Sequence, residues 1–276
     1  MRHTFIAIIA FSALSTATST TQCDAQARRQ ERPDRDEQVQ NKAFEWSGEL
    51  AQGQRIIVHN LNGRIAVEAA SGRTLEIVAN KKWRRGTPAD VKIEATRVNG
   101  GRDVLLCARW TATTECTENG YQTRGKWNNN NDTQVEFIIK LPAGSNAVLN
   151  TTNGDIEVTG ASGAIEANTT NGGISASSSD GPVEAHTTNG DIEVRMTKLP
   201  AKGTSYHTTN GSVTLSLPEG TDANIKARTT NGHIKSEFAL SVSGSISGRS
   251  LQGTIGKGGP LLDIATTNGS IRIEKR

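Results

Sequence analysis

The chain has 276 residues, 28 of them glycine, with 4% aromatic residues and a formal net charge of +3. This composition excludes a large aromatic-rich globular core and suits many short strands joined by tight turns. The charge is too small to point to nucleic acid as a partner.

At the start, Arg2 and His3 precede an apolar run, Phe5 to Leu14, that is too short to span a bilayer. Ala25-Gln26-Ala27 then has the A-x-A form of a signal cleavage site. Residues 1–27 are expected to be a removed secretory signal, and the protein to be exported to periplasm, cell surface or medium, with no transmembrane segment left. Removal takes Arg2 and Asp24 together, so the net charge stays at +3. The rival reading makes Cys23 a lipid-bearing first residue. It calls for a Leu-like residue three places earlier and a small one just before, where Thr20 and Gln22 stand.

Residues 28–43 carry Arg, Gln, Asp and Glu with almost nothing apolar, the composition of a solvated linker. From 44 to 142 the chain reads as a β segment without a strict repeat, partly antiparallel, expected to cap the C-terminal half. Its candidate strands are 55–58, 64–68, 74–78, 91–95, 104–107 and 135–139, separated by Gly and Asn clusters. Asn60-Leu61-Asn62-Gly63-Arg64-Ile65-Ala66-Val67 already resembles the later repeat, so the repeat geometry has an alternative start near residue 56. Cys107 and Cys116, nine apart in an exported chain, are read as a disulfide worth about 2–3 kcal/mol through loop-closure entropy. Lys81-Lys82-Trp83-Arg84-Arg85 is the sharpest charge cluster. It reads first as a solvated hairpin tip, and second as a contact for acidic polysaccharide or lipid headgroups.

From 143 to 276 a repeat takes over. Thr-Thr-Asn-Gly begins at Thr151, Thr169, Thr187, Thr208, Thr229 and Thr266. Between the first and third copies a glycine recurs every nine residues, with Ile156, Ile165, Ile174, Val183 and Ile192 each standing two places after one. Two nine-residue units make a coil of 18 residues, lengthening to 21 after Asn189, and alternate residues of each strand face inward. A repeat of this kind predicts an all-β chain folded as a parallel β-solenoid. Parallel crossovers predict a right-handed winding. The last interval, Asn231 to Asn268, is 37 residues long and holds either two irregular coils or one coil with an excursion. The closing coil carries Arg272, Glu274, Lys275 and Arg276, charges expected to guard that end against fibre growth.

The motif is corner chemistry. Its glycines (Gly154, Gly172, Gly190, Gly211, Gly232, Gly269) are expected to supply positive φ. Its asparagines (Asn153, Asn171, Asn189, Asn210, Asn231, Asn268) are expected to tolerate the left-handed region and to stack as an amide ladder. Its threonines are expected to form ladders of hydroxyl contacts. No catalytic role is required of it.

The Asn-Gly-Asp-Ile-Glu-Val runs at 153–158 and 189–194, Leu215-Ser216-Leu217-Pro218-Glu219-Gly220, and the closing runs 253–259 and 267–273 together resemble bacterial exported proteins carrying the DUF4097 domain. That family is also known as a candidate adhesin domain. The resemblance covers about residues 44–276. It implies a β-solenoid with a surface or adhesive role, and brings no catalytic residues.

Outward positions are where a solenoid meets a partner. After each Asn-Gly they read Asp155, Gly173, Asp191, Ser212, His233 and Ser270, then Glu157, Ser175, Glu193, Thr214, Lys235 and Arg272. The ordinary reading is a solvated face, and the sharper one a polar strip for sugars or a protein. His186 and His207 fall on neighbouring coils with Glu184 nearby, a set that zinc accepts. Stacked surface histidines are the ordinary reading there, and no metal or other cofactor is expected. The turns lack the aspartates of calcium-binding β-rolls, Gly253–Gly259 lacks the Walker spacing, and no Gly-x-Ser-x-Gly elbow occurs. The chain thus reads as a non-catalytic binding or structural module, with surface glycan or envelope protein as partner. The alternative is a carbohydrate-active β-helix enzyme, a lyase or hydrolase, whose carboxylates should gather in a groove.

Overall fold

The computed structural model describes residues 43–111, 113–123, 131–178, 181–242 and 247–276. The expected signal, Cys23, residues 28–42 and Trp127 lie outside them. The chain opens with β1 (Phe44–Glu49), β2 (Arg55–His59), β3 (Ile65–Ala69), β4 (Thr74–Lys82), β5 (Lys92–Val98) and β6 (Asp103–Arg109). Next come β7 (Thr114–Thr117), β8 (Gly120–Thr123), β9 (Gln134–Leu141), β10 (Asn146–Asn150), β11 (Ile156–Ala161) and β12 (Ile165–Asn168). Beyond them lie β13 (Ile174–Ser178), β14 (Val183–His186), β15 (Ile192–Met196), β16 (Thr204–His207), β17 (Val213–Leu217) and β18 (Ala223–Asn231). The chain closes with β19 (Ile234–Ser236), β20 (Leu240–Val242), β21 (Ser250–Ile255), β22 (Leu261–Asn268) and β23 (Ile271–Lys275). Among the described residues there is no α-helix, only a 3-10 turn at Pro88–Asp90.

The strands form two long sheets, and each coil contributes one strand to each. Sheet A runs β1-β4-β9-β3-β11-β13-β15-β17-β23-β19, and sheet B runs β20-β21-β18-β22-β16-β14-β12-β10-β2-β6-β5. Pairing from β9 to β19 and from β6 to β18 is parallel throughout. The register shift is 18 residues from Ala147 to Ile165 and 21 from Ala185 to Tyr206. The expected parallel β-solenoid is the fold observed.

Its core is the space between the two sheets. Ile65, Ile156, Ile174, Ile192, Val213 and Ile271 stack along sheet A, each 2% exposed or less. Ile56, Ala147, Ile165 and Val183 stack along sheet B. The larger Tyr206, fully buried, fills the wider 21-residue coil beside Ala185, and burial pushes its phenol well above the usual range.

Two expectations about order are corrected. The parallel stack does not start at residue 143. β2 and β3 pair in register with β10 and β11, so the coil Arg55–Ala69 belongs to it. The alternative start near residue 56 matches this register. β6 and β9 come later in the chain than β2 and β3 but pair parallel with their far side, outside them in the stack. At the other end, the closing coil is not the last in space. β22 lies between β16 and β18, and β23 lies between β17 and β19. The 37-residue interval therefore holds one coil's pair of strands, β19 and β22, with an excursion between them in which β20 and β21 cap sheet B antiparallel. The charges of the closing coil do not guard the end. The edges there are β19 and β20, three residues each, and short edge strands offer little template for pairing.

The corner glycines are also corrected. Gly154, Gly190 and Gly269 have φ of 159°, 158° and 159°, essentially extended, and Gly172, Gly211 and Gly232 lie outside the left-handed region. Asn99 is the one non-glycine residue with positive φ among the described residues, so the ladder asparagines are not left-handed either. Glycine is required for another reason. A Cβ on Gly172 would lie 2.1 Å from the Gly154 carbonyl oxygen, and one on Gly190 would lie 2.0 Å from that of Gly172. The same clash recurs at Gly211, Gly232 and Gly269, each at 1.9 Å, because backbone stacks on backbone at this corner.

Candidate functional site

The corner's polar groups are spent on holding coil to coil. Seven asparagines form one ladder in which each Nδ2 donates to the Oδ1 of the next. The steps are Asn153 to Asn62 (2.7 Å), Asn171 to Asn153 (2.8 Å), Asn189 to Asn171 (2.8 Å), Asn210 to Asn189 (2.7 Å), Asn268 to Asn210 (2.7 Å) and Asn231 to Asn268 (2.8 Å). The expected amide ladder is present, and it tracks spatial order rather than chain order. The first threonine of each motif is buried, and its hydroxyl does not meet other threonines as expected. It donates to a glycine carbonyl of the neighbouring coil, as in Thr169 to Gly154 (3.0 Å), Thr187 to Gly172 (2.9 Å) and Thr266 to Gly211 (2.8 Å). These bonds satisfy carbonyls that stacking would otherwise bury unpaired.

The first outward row is engaged as well. Asp155 Oδ1 accepts the Gly173 N–H at 2.8 Å, and Asp191 Oδ1 accepts the Ser212 N–H at 2.7 Å. Ser212 Oγ then accepts from Ser270 N at 3.3 Å, and Ser270 Oγ from His233 N at 3.4 Å. The alternate aspartates thus act as coil-to-coil acceptors, a role that their spacing alone did not reveal.

The second outward row of sheet A reads, in space, Glu157, Ser175, Glu193, Thr214, Arg272, Lys235. Glu157 pairs with Arg64, and Glu193 with Arg195. Arg272 and Lys235 are register partners, both exposed, and neither has an ion-pair partner among the described residues. With His233, Ser270 and Ile271 they line a surface depression of about 280 Å³. Charge along the chain changes sign at this end. Residues 143–222 hold three Lys/Arg against nine Asp/Glu, whereas 223–276 hold eight against three.

On the outer face of sheet B, His186 and His207 are register partners with ring centroids 5.1 Å apart. Burial, then the neighbouring His186, lowers the His207 imidazole below its usual range, against the opposing pull of Asp263. His207 Nε2 and Asp263 Oδ1 stand 4.0 Å apart, and Arg228 approaches the same oxygen at 3.9 Å. Glu184 does not join the pair; it faces Lys202, with Oε1 3.5 Å from Nζ. Among the described residues no three His, Cys, Asp or Glu side chains are placed to hold a metal ion.

At the opposite end, the cluster 81–85 is largely occupied. Lys81 Nζ donates to the carbonyls of Pro88 (3.0 Å) and Val91 (2.7 Å), and burial with nearby Lys92 lowers its pKa. Lys82 pairs with Glu136 at 2.7 Å, and Arg85 reaches Asp132 at 3.8 Å. Asp132 Oδ1 also accepts the N–H groups of Arg84 and Arg85, so it organises the tip. Trp83 and Arg84 line an open depression with Lys82, Asp132 and Gln134.

Cys107 and Cys116 are joined as expected. The bond staples the β7–β8 hairpin over a small apolar cluster outside the main core, built on Ile57, Leu105 and Cys107 with Val98, Cys116 and Val148 against it. Tyr121 stacks on His59 at 5.9 Å and donates its hydroxyl to the Ala108 carbonyl at 2.7 Å. Burial lowers the His59 pKa, opposed by its contact with the Thr117 carbonyl. Sequence reading missed this hairpin, and the alternation of Thr114 to Thr123 was its one signal.

The fold and its corner ladders define a class, a two-sheet parallel β-solenoid whose repeated Asn-Gly corner is a structural seam. The particular family comes from the sequence match. The Toastrack DUF4097 family profile matches residues 132–274, and the chain belongs to that family. Similar solved structures include a candidate cell adhesion protein from Clostridium sporogenes ATCC 15579. It is 12% identical, covers 85% of this chain and 100% of its own, and has a TM-score of 0.38. A candidate adhesin from Bacteroides fragilis NCTC 9343 is 11% identical, covers 84% and 97% respectively, and has a TM-score of 0.28. No curated protein matches the chain significantly. No helix among the described residues is long and apolar enough to cross a membrane.

Proposed function

We propose that this chain is a non-catalytic binding or structural module of the bacterial cell envelope. It is exported behind the signal at residues 1–27 and offers its outer sheet faces to a surface glycan or an envelope protein. The observation that supports this reading most is the division of labour among polar groups. Asn, Thr and Asp of the repeat bond coil to coil and so are committed to holding the stack together. The outward positions that vary, such as Glu157, Ser175, Lys235 and Arg272, are left to meet a partner at fixed spacing. A face preorganised by sheet hydrogen bonds loses little conformational entropy on binding, which favours recognition of an extended polymer. The adhesive role implied by the family fits this use.

A glycan array probed with the full chain, with reducing-end and unsaturated-product detection on every glycan bound, tests the reading. Retention of one glycan class without product is the expected result. Release of new reducing ends would replace the reading with a carbohydrate-active enzyme.

A further inference from the structure

We propose that Lys235 and Arg272, with His233 and Ser270 beside them, form a binding site for the anionic groups of an acidic polysaccharide. The ligand class is a chain bearing sulfate, phosphate or carboxylate. The proposal rests on the binding-module reading and specifies its ligand.

Four observations carry it. First, Lys235 and Arg272 occupy the same register on adjacent parallel strands and point outward. Like charges directly across a strand pair are destabilising and are normally avoided. Elsewhere on this face the acids are separated by a neutral coil and paired with bases, as Glu157 is with Arg64 and Glu193 with Arg195. Second, the two bases lack an ion-pair partner among the described residues, and Glu237 and Glu274 line a neighbouring depression with them rather than this one. Glu237 accepts the Lys275 N–H at 2.7 Å, and Glu274 lies one outward position further along β23. On the opposite sheet at the same end, Asp263 stands in register with Lys226 and lies 3.9 Å from the Arg228 guanidinium, an acid among the bases. Third, the groups are chemically complementary to an oxyanion. Arg272 offers a planar fork, Lys235 a compact charge, and Ser270 a hydroxyl. Ser270 Oγ accepts from His233 N, so its own hydrogen is left to donate outward. Fourth, these residues share a depression of about 280 Å³, at the basic end of a stack whose middle is acidic.

A membrane surface fits less well. Leu261 is the one large apolar side chain exposed among the described residues, so there is no apolar face to insert beside the charges.

The test compares retention of the full chain on dextran sulfate and on neutral dextran, with anionic vesicles as a third arm. Wild type should bind dextran sulfate in a salt-dependent way and leave neutral dextran unbound. The double variant Lys235→Gln/Arg272→Gln should lose tenfold or more in affinity. A second double variant, Lys82→Gln/Arg84→Gln, removes the same charge from the far end of the stack and should stay within twofold of wild type. Both double variants should keep the wild-type thermal midpoint within a few degrees, because the residues face outward. Dextran sulfate should raise that midpoint in wild type but not in the Lys235/Arg272 variant. Equal loss in both double variants would overturn the site, since it would show attraction by net charge alone. Stronger retention on anionic vesicles than on dextran sulfate would overturn the glycan assignment. Binding of neutral dextran unaffected by either variant would remove the anionic site and leave the binding-module reading intact. No retention on any polysaccharide would count against both.

Discussion

The middle of the stack and its two ends obey different rules. From Asn146 to Leu217 the chain adds one coil after another, and neighbours in sequence are neighbours in space. At each end the order is exchanged. The coil β2–β3 comes earlier in the chain than β6 and β9 but lies inside them, and the closing coil β22–β23 lies inside β18–β19. In both cases the outer position goes to the segment that carries an antiparallel addition, β4, β5 and β1 at one end and β21 and β20 at the other. An uncapped parallel coil would leave its last inward residues and backbone groups open to water. The difference teaches that the nine-residue repeat specifies how coils stack but not which coil comes last. Possession of a cap specifies that.

Truncation before Leu261 should break the comparison most severely. If the closing coil were terminal, its loss would remove one interface. Here it removes the pairing of β16 and β17 with β22 and β23, and of those strands with β18 and β19. Loss of hydrogen-exchange protection throughout residues 204–255 is expected. Protection persisting in 223–255 would contradict the interior placement.

Next in size, Gly190→Ala places a Cβ 2.0 Å from the Gly172 carbonyl oxygen in the regular middle. Backbone cannot yield there without shifting the whole seam, so a loss of about 3 kcal/mol or more is expected in urea unfolding. Gly220→Ala, with no atom within 4 Å of the added Cβ, should change stability by about 0.5 kcal/mol or less. Similar midpoints for the two variants would refute the close-approach explanation.

Cys107→Ser with Cys116→Ser probes the N-terminal end. The chain-entropy estimate is about 2–3 kcal/mol, and the β7–β8 hairpin should become the first element cut by protease. Unchanged cleavage would show that Tyr121, His59 and the apolar cluster hold the hairpin without the bond.

The smallest effect separates an interior rung from an end rung. Asn189→Ala removes two ladder bonds, Asn189 to Asn171 and Asn210 to Asn189, for about 1–2 kcal/mol in total. Asn231→Ala removes one, Asn231 to Asn268, and should cost about half as much. Equal losses, read by thermal or urea unfolding, would show that the ladder does not act rung by rung.

Much of the fold was legible in the residues. Alternation of Ile156 and Val158 against Glu157 fixed which face is buried, because strand side chains alternate with period two. The nine-residue count fixed two strands per coil, and the spacing of Cys107 and Cys116 fixed the bridge. The asparagine ladder came from the chemistry of a primary amide, which is both donor and acceptor. The site was less legible. The His186–His207 adjacency could be counted from the repeat, but Asp263 beside His207 could not, since 56 residues separate them. Lys235 and Arg272 likewise stand apart in sequence and meet only because the closing coil is interior.

By itself, then, the sequence determined the coil, its buried face, its asparagine ladder and its family, all of which are local or strictly periodic. The tertiary structure alone decided the order of coils at the ends, the reason for the corner glycines, and the juxtaposition of two bases that make no ion pair among the described residues. Each of these depends on contacts between segments far apart in the chain, and identical repeat units fit one another equally well in any order. Only the caps and the register of whole sheets break that degeneracy, and they act at distances a repeat does not encode.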